Sequence, residues 1–229
     1  MMNQTSRGFG SLTQNLAELV GVLATFLISA IALSWATGNL TVAPFATAVA
    51  VALCSTLLKR RKERWRDLGL ARPLNWGQLV LGTALLVAVI LVFINIVQPP
   101  LEAQLGRVDL SELGTIEGNL RLLVYFLFVS WVLAGLGEEA LFRGFVMRRL
   151  TQLFGSTGGA AWIAAAGQAL IFGLLHFYQG PSGMIIAAGI GLIFGMAYLA
   201  LDNLWPCVIA HGVISTLSFT DLYLGGTLL

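Results

Sequence analysis

The chain has 229 residues, of which 57% are hydrophobic and only 10% charged. A water-soluble domain carries roughly a quarter of its residues as charges, so too few polar side chains are present to cover a soluble surface. The net charge of +2 gives a nucleic-acid partner no electrostatic support. These figures exclude a soluble globular enzyme and point to the lipid bilayer as solvent.

Taken in chain order, charge placement sets out the spans. Residues 1 to about 18 read as a polar, glycine-containing tail. From Leu19 to Leu58 there is no Asp, Glu, Lys or Arg. That length suits two helices and a turn, since one span takes roughly 20 residues. The first span lacks a cleavage site and reads as a retained helix. The run Lys59-Arg60-Arg61-Lys62-Glu63-Arg64-Trp65-Arg66 follows. Basic loops stay cytoplasmic, which places the N-terminus there too. Pro73 to Leu101 is a third uncharged stretch, which Pro99-Pro100 should close. The loop from Glu102 to Glu117 is acidic on balance, as an external loop would be, with Gly114 and Gly118 as breakers.

A long fourth helix should start near Asn119 and run past Arg149, ended by Gly155, Gly158 and Gly159. Leu150 to Leu201 and Asn203 to Thr220 supply the remaining uncharged stretches, with Pro181 and Pro206 in first-turn positions. The expected fold is therefore all-α, a polytopic transmembrane bundle of about seven spans, eight helices being possible. Two parts are expected within one integrated domain: membrane helices with the basic loop over 1–118, and a helical core over 119–222. Cys54 and Cys207 lie in apolar spans and read as packing residues.

Ionisable residues inside membrane segments are expensive, which makes Glu138, Glu139, His176 and His211 functional suspects. If the chain turns near Ser156 and Thr157, Glu138 lies about 18 residues before the turn and His176 about 19 after it; at roughly 1.5 Å per residue they stand level. His211 fits less well, because upright helices would leave it about 10 Å from His176 in depth. Glu139 and Arg143 are spaced for an ion pair, which leaves Glu138, about 100° around the helix, free to face a cavity. His211 and Ser215 share a face, as do Phe172 and His176. The plainer alternatives are that the acids cap a helix end in water and that the histidines are hydrogen-bonded core residues.

Three stretches together resemble a known family. Glu138-Glu139-Ala140-Leu141-Phe142-Arg143 resembles the EExxxR signature of the CPBP family, the type II CAAX prenyl endopeptidases and bacteriocin-processing membrane proteases. Phe172-Gly173-Leu174-Leu175-His176 is similar to its FxxxH motif, and His211 to the histidine of its later motif. Order and spacing agree over roughly Leu120 to Phe219, and Leu68-Gly69-Leu70 after the basic loop is also similar.

The resemblance implies an intramembrane endopeptidase acting on a membrane-associated protein or peptide. Glu138 would be the general base with help from His176. His211 and the residue at 215 would steady the oxyanion. A metal-dependent version, with Glu138, His176 and His211 holding zinc, is equally consistent with the residues. One departure stands out: position 215 is Ser, where the family has Asn or Asp.

Gly180-Pro181-Ser182-Gly183 looks like a rhomboid serine motif, but Ser182 and His211 should lie a full span apart. HExxH is absent, and there is no inverted repeat of a transporter. Gly191 and Gly195 should form a close-packing face within the bundle. The rival from another class is a non-enzymatic immunity or scaffold factor, in which the polar cluster only holds helices together.

Overall fold

The computed structural model describes residues 10–38, 44–71, 75–113, 116–155 and 159–226. Seven helices account for most of these residues: α1 Leu12–Thr37, α2 Phe45–Arg60, α3 Trp76–Leu105, α4 Leu120–Phe154, α5 Ala160–Leu175, α6 Gly180–Leu201 and α7 Trp205–Tyr223. Short 3₁₀ turns at Trp65–Leu68, Ser111–Leu113 and Phe177–Gln179 join them, and no strand occurs among the described residues. The all-α membrane bundle is as expected. Four segments are long and apolar enough to cross a membrane: α1, α3, α4, and α6 together with its preceding turn. α2 and α5 are shorter, at 16 residues each.

Capping explains where the helices begin. Ser11 Oγ accepts from Gln14 N, Asn75 Oδ1 from Gln78 N, and Asn119 Oδ1 from Leu122 N, each supplying an acceptor to an otherwise orphan amide. Ser11 therefore starts the first helix at Leu12, well inside the segment read as a polar tail. Asn15 and Glu18 are helical and buried, not solvated. The Pro99-Pro100 pair also departs from expectation, lying inside α3, which continues to Leu105. Gln98 Nε2 donates to Glu102 Oε1 at 2.9 Å across the prolines, and Gly106 N bonds Glu102 O at 3.0 Å beyond them. The expected turn at Ser156 and Thr157, with Gly158, lies outside the described residues, as does Gly114; Gly155 and Gly159 cap the flanking helices.

In lipid, apolar burial gives little drive for helix association, so close packing and interhelical polar bonds must hold the bundle. α4 lies at its centre, against α1, α2, α5 and α7. Phe142 and Phe145 of α4 are buried, whereas α1 and α3 present Ile31, Trp35, Val80 and Ile96 outward. Cys54 and Cys207 are buried free thiols.

The Gly191/Gly195 face packs within the bundle, as the spacing predicts. A Cβ at Gly191 would lie 3.3 Å from Ala169 Cα, and one at Gly195 2.8 Å from Gln168 Nε2. α6 can therefore close onto α5.

The basic end holds a feature the sequence reading did not anticipate. Glu18 of α1 accepts from Arg61 at 2.8 Å and from Arg149 at 2.9 Å, and Glu63 accepts from Arg149 at 2.7 Å and Arg148 at 3.1 Å. Arg149 is completely buried and lies over the Phe145 ring. The basic run thus contributes side chains to an ion lattice tying α1, the loop after α2 and the end of α4. The Leu68-Gly69-Leu70 segment is stapled to the α6–α7 turn. Tyr198 Oη donates to Leu68 O at 3.1 Å, Leu204 N to Gly69 O at 2.9 Å, and Trp205 Nε1 to Ala71 O at 2.8 Å.

Candidate active site

The site begins with a change of helical register in α4. Ser130 Oγ donates to Phe126 O at 2.6 Å, a back-bond that competes with the α ladder. From Ser130 to Val146 the helix runs in the i→i+5 π register, and Met147 N closes it on Phe142 O. The 100° separation expected of Glu138 and Glu139 belongs to an α-helix and does not describe this segment. The division of labour it suggested nevertheless appears.

Glu139 is completely buried. Its Oε1 accepts from Arg143 Nη1 at 2.9 Å and lies 2.8 Å from His211 Nδ1. Arg143 is equally buried, its guanidinium 4.6 Å from the Phe172 ring centre and 5.0 Å from that of Phe194. Its Nη2 donates to Gly191 O at 3.3 Å, a carbonyl that also accepts from Gln168 Nε2 at 2.8 Å. Missing Cβ atoms at Gly191 and Gly195 let that backbone come within reach. Glu138 is only partly buried and makes no hydrogen bond or ion pair among the described residues.

His176 caps the C-terminus of α5, and its Nδ1 lies 2.7 Å from Phe172 O. A carbonyl can only accept, so Nδ1 carries a proton, and in the neutral imidazole Nε2 keeps its lone pair. The ring packs 4.5 Å from Phe172, as expected, and stacks at 5.9 Å on Tyr178, which the sequence reading did not single out.

His211 reaches the same place because α4 and α7 approach through glycines. A Cβ on Gly135 would lie 3.1 Å from Val208 O, and one on Gly212 2.6 Å from the Trp131 ring. Trp131 Nε1 then donates to Thr216 Oγ1 at 3.1 Å. His211 stacks on Phe194 with its Nδ1 on Glu139. The depth offset inferred from upright helices does not keep it from the site, and the Glu139–His211 contact was not foreseen.

These groups meet at one cavity of about 360 Å³. Glu138, His176, His211 and Ser215 all line it, with Tyr178 and Ser130 beside them. Its remaining wall is largely apolar, formed by Ile90 and Ile94 of α3, Ile186 and Ile190 of α6, and Ile214 of α7. Val108, Asp109 and Leu110, in the loop after α3, line the end away from the ion lattice. That loop is held by Asp109 N bonding Gln179 O at 3.0 Å and by Ser182 Oγ donating to Gly106 O at 2.6 Å. Ser182, the serine of the rhomboid-like string, is thus committed to a loop carbonyl. Hydrogen bonds from the Ser111 side chain and amide hold the Asp109 carboxyl below the usual carboxylate range.

Both imidazoles have Nδ1 engaged by an oxygen, the arrangement in which histidines also ligate metals through Nε2. However, no group of three or more His, Cys, Asp or Glu among the described residues is gathered closely enough to hold an ion. As placed among the described residues, Glu138, His176 and His211 do not form a preformed zinc cage.

Fold and site together describe an integral membrane bundle with a carboxylate and two imidazoles around an internal hollow. Residues 120–217 match the family model described as Type II CAAX prenyl endopeptidase Rce1-like, the family that the three motifs resemble. No curated protein and no solved structure matches the chain. The matched segment contains Glu138, Glu139, Arg143, Phe172, His176, His211 and Ser215, and the family is one of membrane proteases.

Proposed function

We propose that the protein is an intramembrane endopeptidase that hydrolyses a peptide bond of a membrane-associated protein or peptide. The observation that carries this reading is the contrast between two adjacent acids. Glu139 is consumed by Arg143 and His211, whereas Glu138 has no hydrogen-bonding partner among the described residues and lines a cavity shared with two imidazoles. A scaffold has no use for the second carboxylate.

Glu138 takes a proton from a water molecule, and the hydroxide attacks the peptide carbonyl carbon. The Nε2 lone pair of His176 holds the second proton of that water and aims its oxygen. Negative charge develops on the former carbonyl oxygen. His211, whose Nδ1–H rests on Glu139, donates from Nε2 when doubly protonated, and Ser215 adds a shorter-reaching hydroxyl. Glu138 then returns its proton to the departing amine, the C–N bond breaks, and acid and amine products leave.

Orientation follows from the basic loop: with Lys59 to Arg66 cytoplasmic, the N-terminus is cytoplasmic and the cavity end faces outward. Glu138→Gln is the test of the reading. It should lower cleavage in proteoliposomes by about 10²–10⁴-fold, the range for loss of a general base, with unchanged thermal unfolding. A variant that keeps full activity would show that Glu138 is not the base.

A further inference from the structure

We infer that Arg61 anchors a binding site for a phosphate group at the basic end of the bundle, and that an anionic phospholipid of the leaflet facing the basic loop supplies it. The inference is independent of the endopeptidase reading, because no residue of the hollow takes part.

Buried polar atoms carry it. The Arg61 side chain is only 5% exposed, and its Nε donates to Glu18 Oε1 at 2.8 Å. Nη1 and Nη2 are buried too, with no hydrogen-bonding partner among the described residues. Donors of a charged group are costly to leave unpaired, so this fork calls for a pair of acceptors. Asn15 is completely buried, and its Oδ1 also lacks a partner among the described residues. Its Nδ2 donates at 3.3 Å to the carbonyl of Gly10, which lies over the fork: a Cβ there would stand 2.5 Å from Nη1 and 2.6 Å from Nη2. Gly10 has no side chain and that bond is long, so this backbone unit can lift and admit a ligand.

Charge makes the ligand an anion. In the ion lattice Glu18 and Glu63 face Arg61, Arg148 and Arg149, two carboxylates against three guanidinium groups. One positive charge is left over, and Arg61 holds the free edge. A guanidinium fork matches two phosphate oxygens at once. α1 begins beside it at Leu12, and a helix N-terminus favours anions. Lys59, Arg60, Lys62 and Arg64 flank Arg61 in the basic run and are exposed. The neighbouring surface selects a lipid over a free ion. Leu12, Leu16 and Val20 form an outward apolar stripe on α1, starting at the level of Gly10, along which acyl chains can run. The leaflet on the basic side of a membrane is also the anionic one. A hydroxyl of the headgroup can donate to Asn15 Oδ1.

The test uses the full chain in detergent micelles, titrated with phosphatidylglycerol, phosphatidylcholine or inorganic phosphate. Native mass spectrometry reads the retained lipid, and thermal unfolding reads its effect. Phosphatidylglycerol should give a one-lipid adduct and raise the unfolding temperature. Phosphatidylcholine, whose choline offsets its phosphate, should be retained about tenfold more weakly, the weight of one charge-assisted contact. Arg61→Gln should weaken the phosphatidylglycerol adduct by a similar factor. Arg60→Gln removes an exposed charge one residue away and should weaken it by less than about twofold, as surface charges do. Arg61→Lys keeps a cation opposite Glu18, which guards the fold, but lacks the fork and should bind at an intermediate level. Equal retention of the two lipids, or equal weakening by the Arg60 and Arg61 variants, overturns the site, since binding would then be diffuse attraction to the basic run. Stabilisation by inorganic phosphate with no lipid adduct overturns the lipid assignment and gives the fork to a free ion.

Discussion

Replacing Arg143 with Met probes the most enclosed charge in the molecule. The guanidinium is fully buried and makes one ion pair at 2.9 Å, a carbonyl bond at 3.3 Å and two ring contacts. Methionine fills a similar volume but leaves Glu139 with only the His211 imidazole. A buried pair broken from one side costs about 3–5 kcal/mol, because the surviving charge is stranded. Glu139→Gln strands Arg143 in the same way. The double variant removes both charges and should be far less destabilised than the two singles summed, with a coupling of about 2–3 kcal/mol. Equilibrium unfolding of the four proteins in bicelles, followed by steric trapping, measures all corners of that cycle. Additivity within about 0.5 kcal/mol would refute the claim that the two side chains neutralise each other.

Gly212→Ala places a methyl group 2.6 Å from the Trp131 ring, so either the ring or α7 must shift. We expect about 1–3 kcal/mol of destabilisation, typical of overpacking, and reduced turnover because His211 is the next residue; Trp131→Leu in the same chain should restore part of both. Ser182→Ala should keep its hydrolytic activity while losing about 1 kcal/mol of stability with the bond to Gly106 O; abolished activity would instead reinstate a serine nucleophile. A reporter fused after Leu224 should be active only outside the cytoplasm, and a cytoplasmic signal there would reverse the orientation assigned from the basic loop.

Much of this was legible in the sequence where local periodicity and charge decide. Uncharged lengths placed the helices, and depth arithmetic across the α4–α5 hairpin brought Glu138 level with His176. That arithmetic rests on a reference point shared by two helices joined by a short connection, and Glu138 and His176 line one cavity. His211 has no such reference, since its depth depends on how closely α4 and α7 approach. That approach is set by Gly135 and Gly212 acting across the interface, a signal visible as glycines but not as a contact. The Glu18 lattice was missed for a different reason. Assigning residues up to 18 to a tail removed the one acid of α1 from the intramembrane suspects, when an isolated carboxylate beside an apolar run was itself the clue to a distant arginine. The π register of α4 left no trace in the pattern, because the Ser130 back-bond that opens it is an ordinary serine in sequence.

The ion lattice also gives the bundle a mechanical polarity. Three distant stretches of chain are riveted together at one end by Glu18, Glu63 and Arg149. At the other, the loop over the hollow is secured by individual bonds such as Ser182 to Gly106 and Asp109 to Gln179. Thermal breathing should therefore splay the helices like the jaws of a clothes-peg, with the spring beside the arginines. Backbone amides around residues 106–113 would exchange with heavy water sooner than those of 145–152. A strand of foreign polypeptide could slip between the jaws without the spring ever letting go.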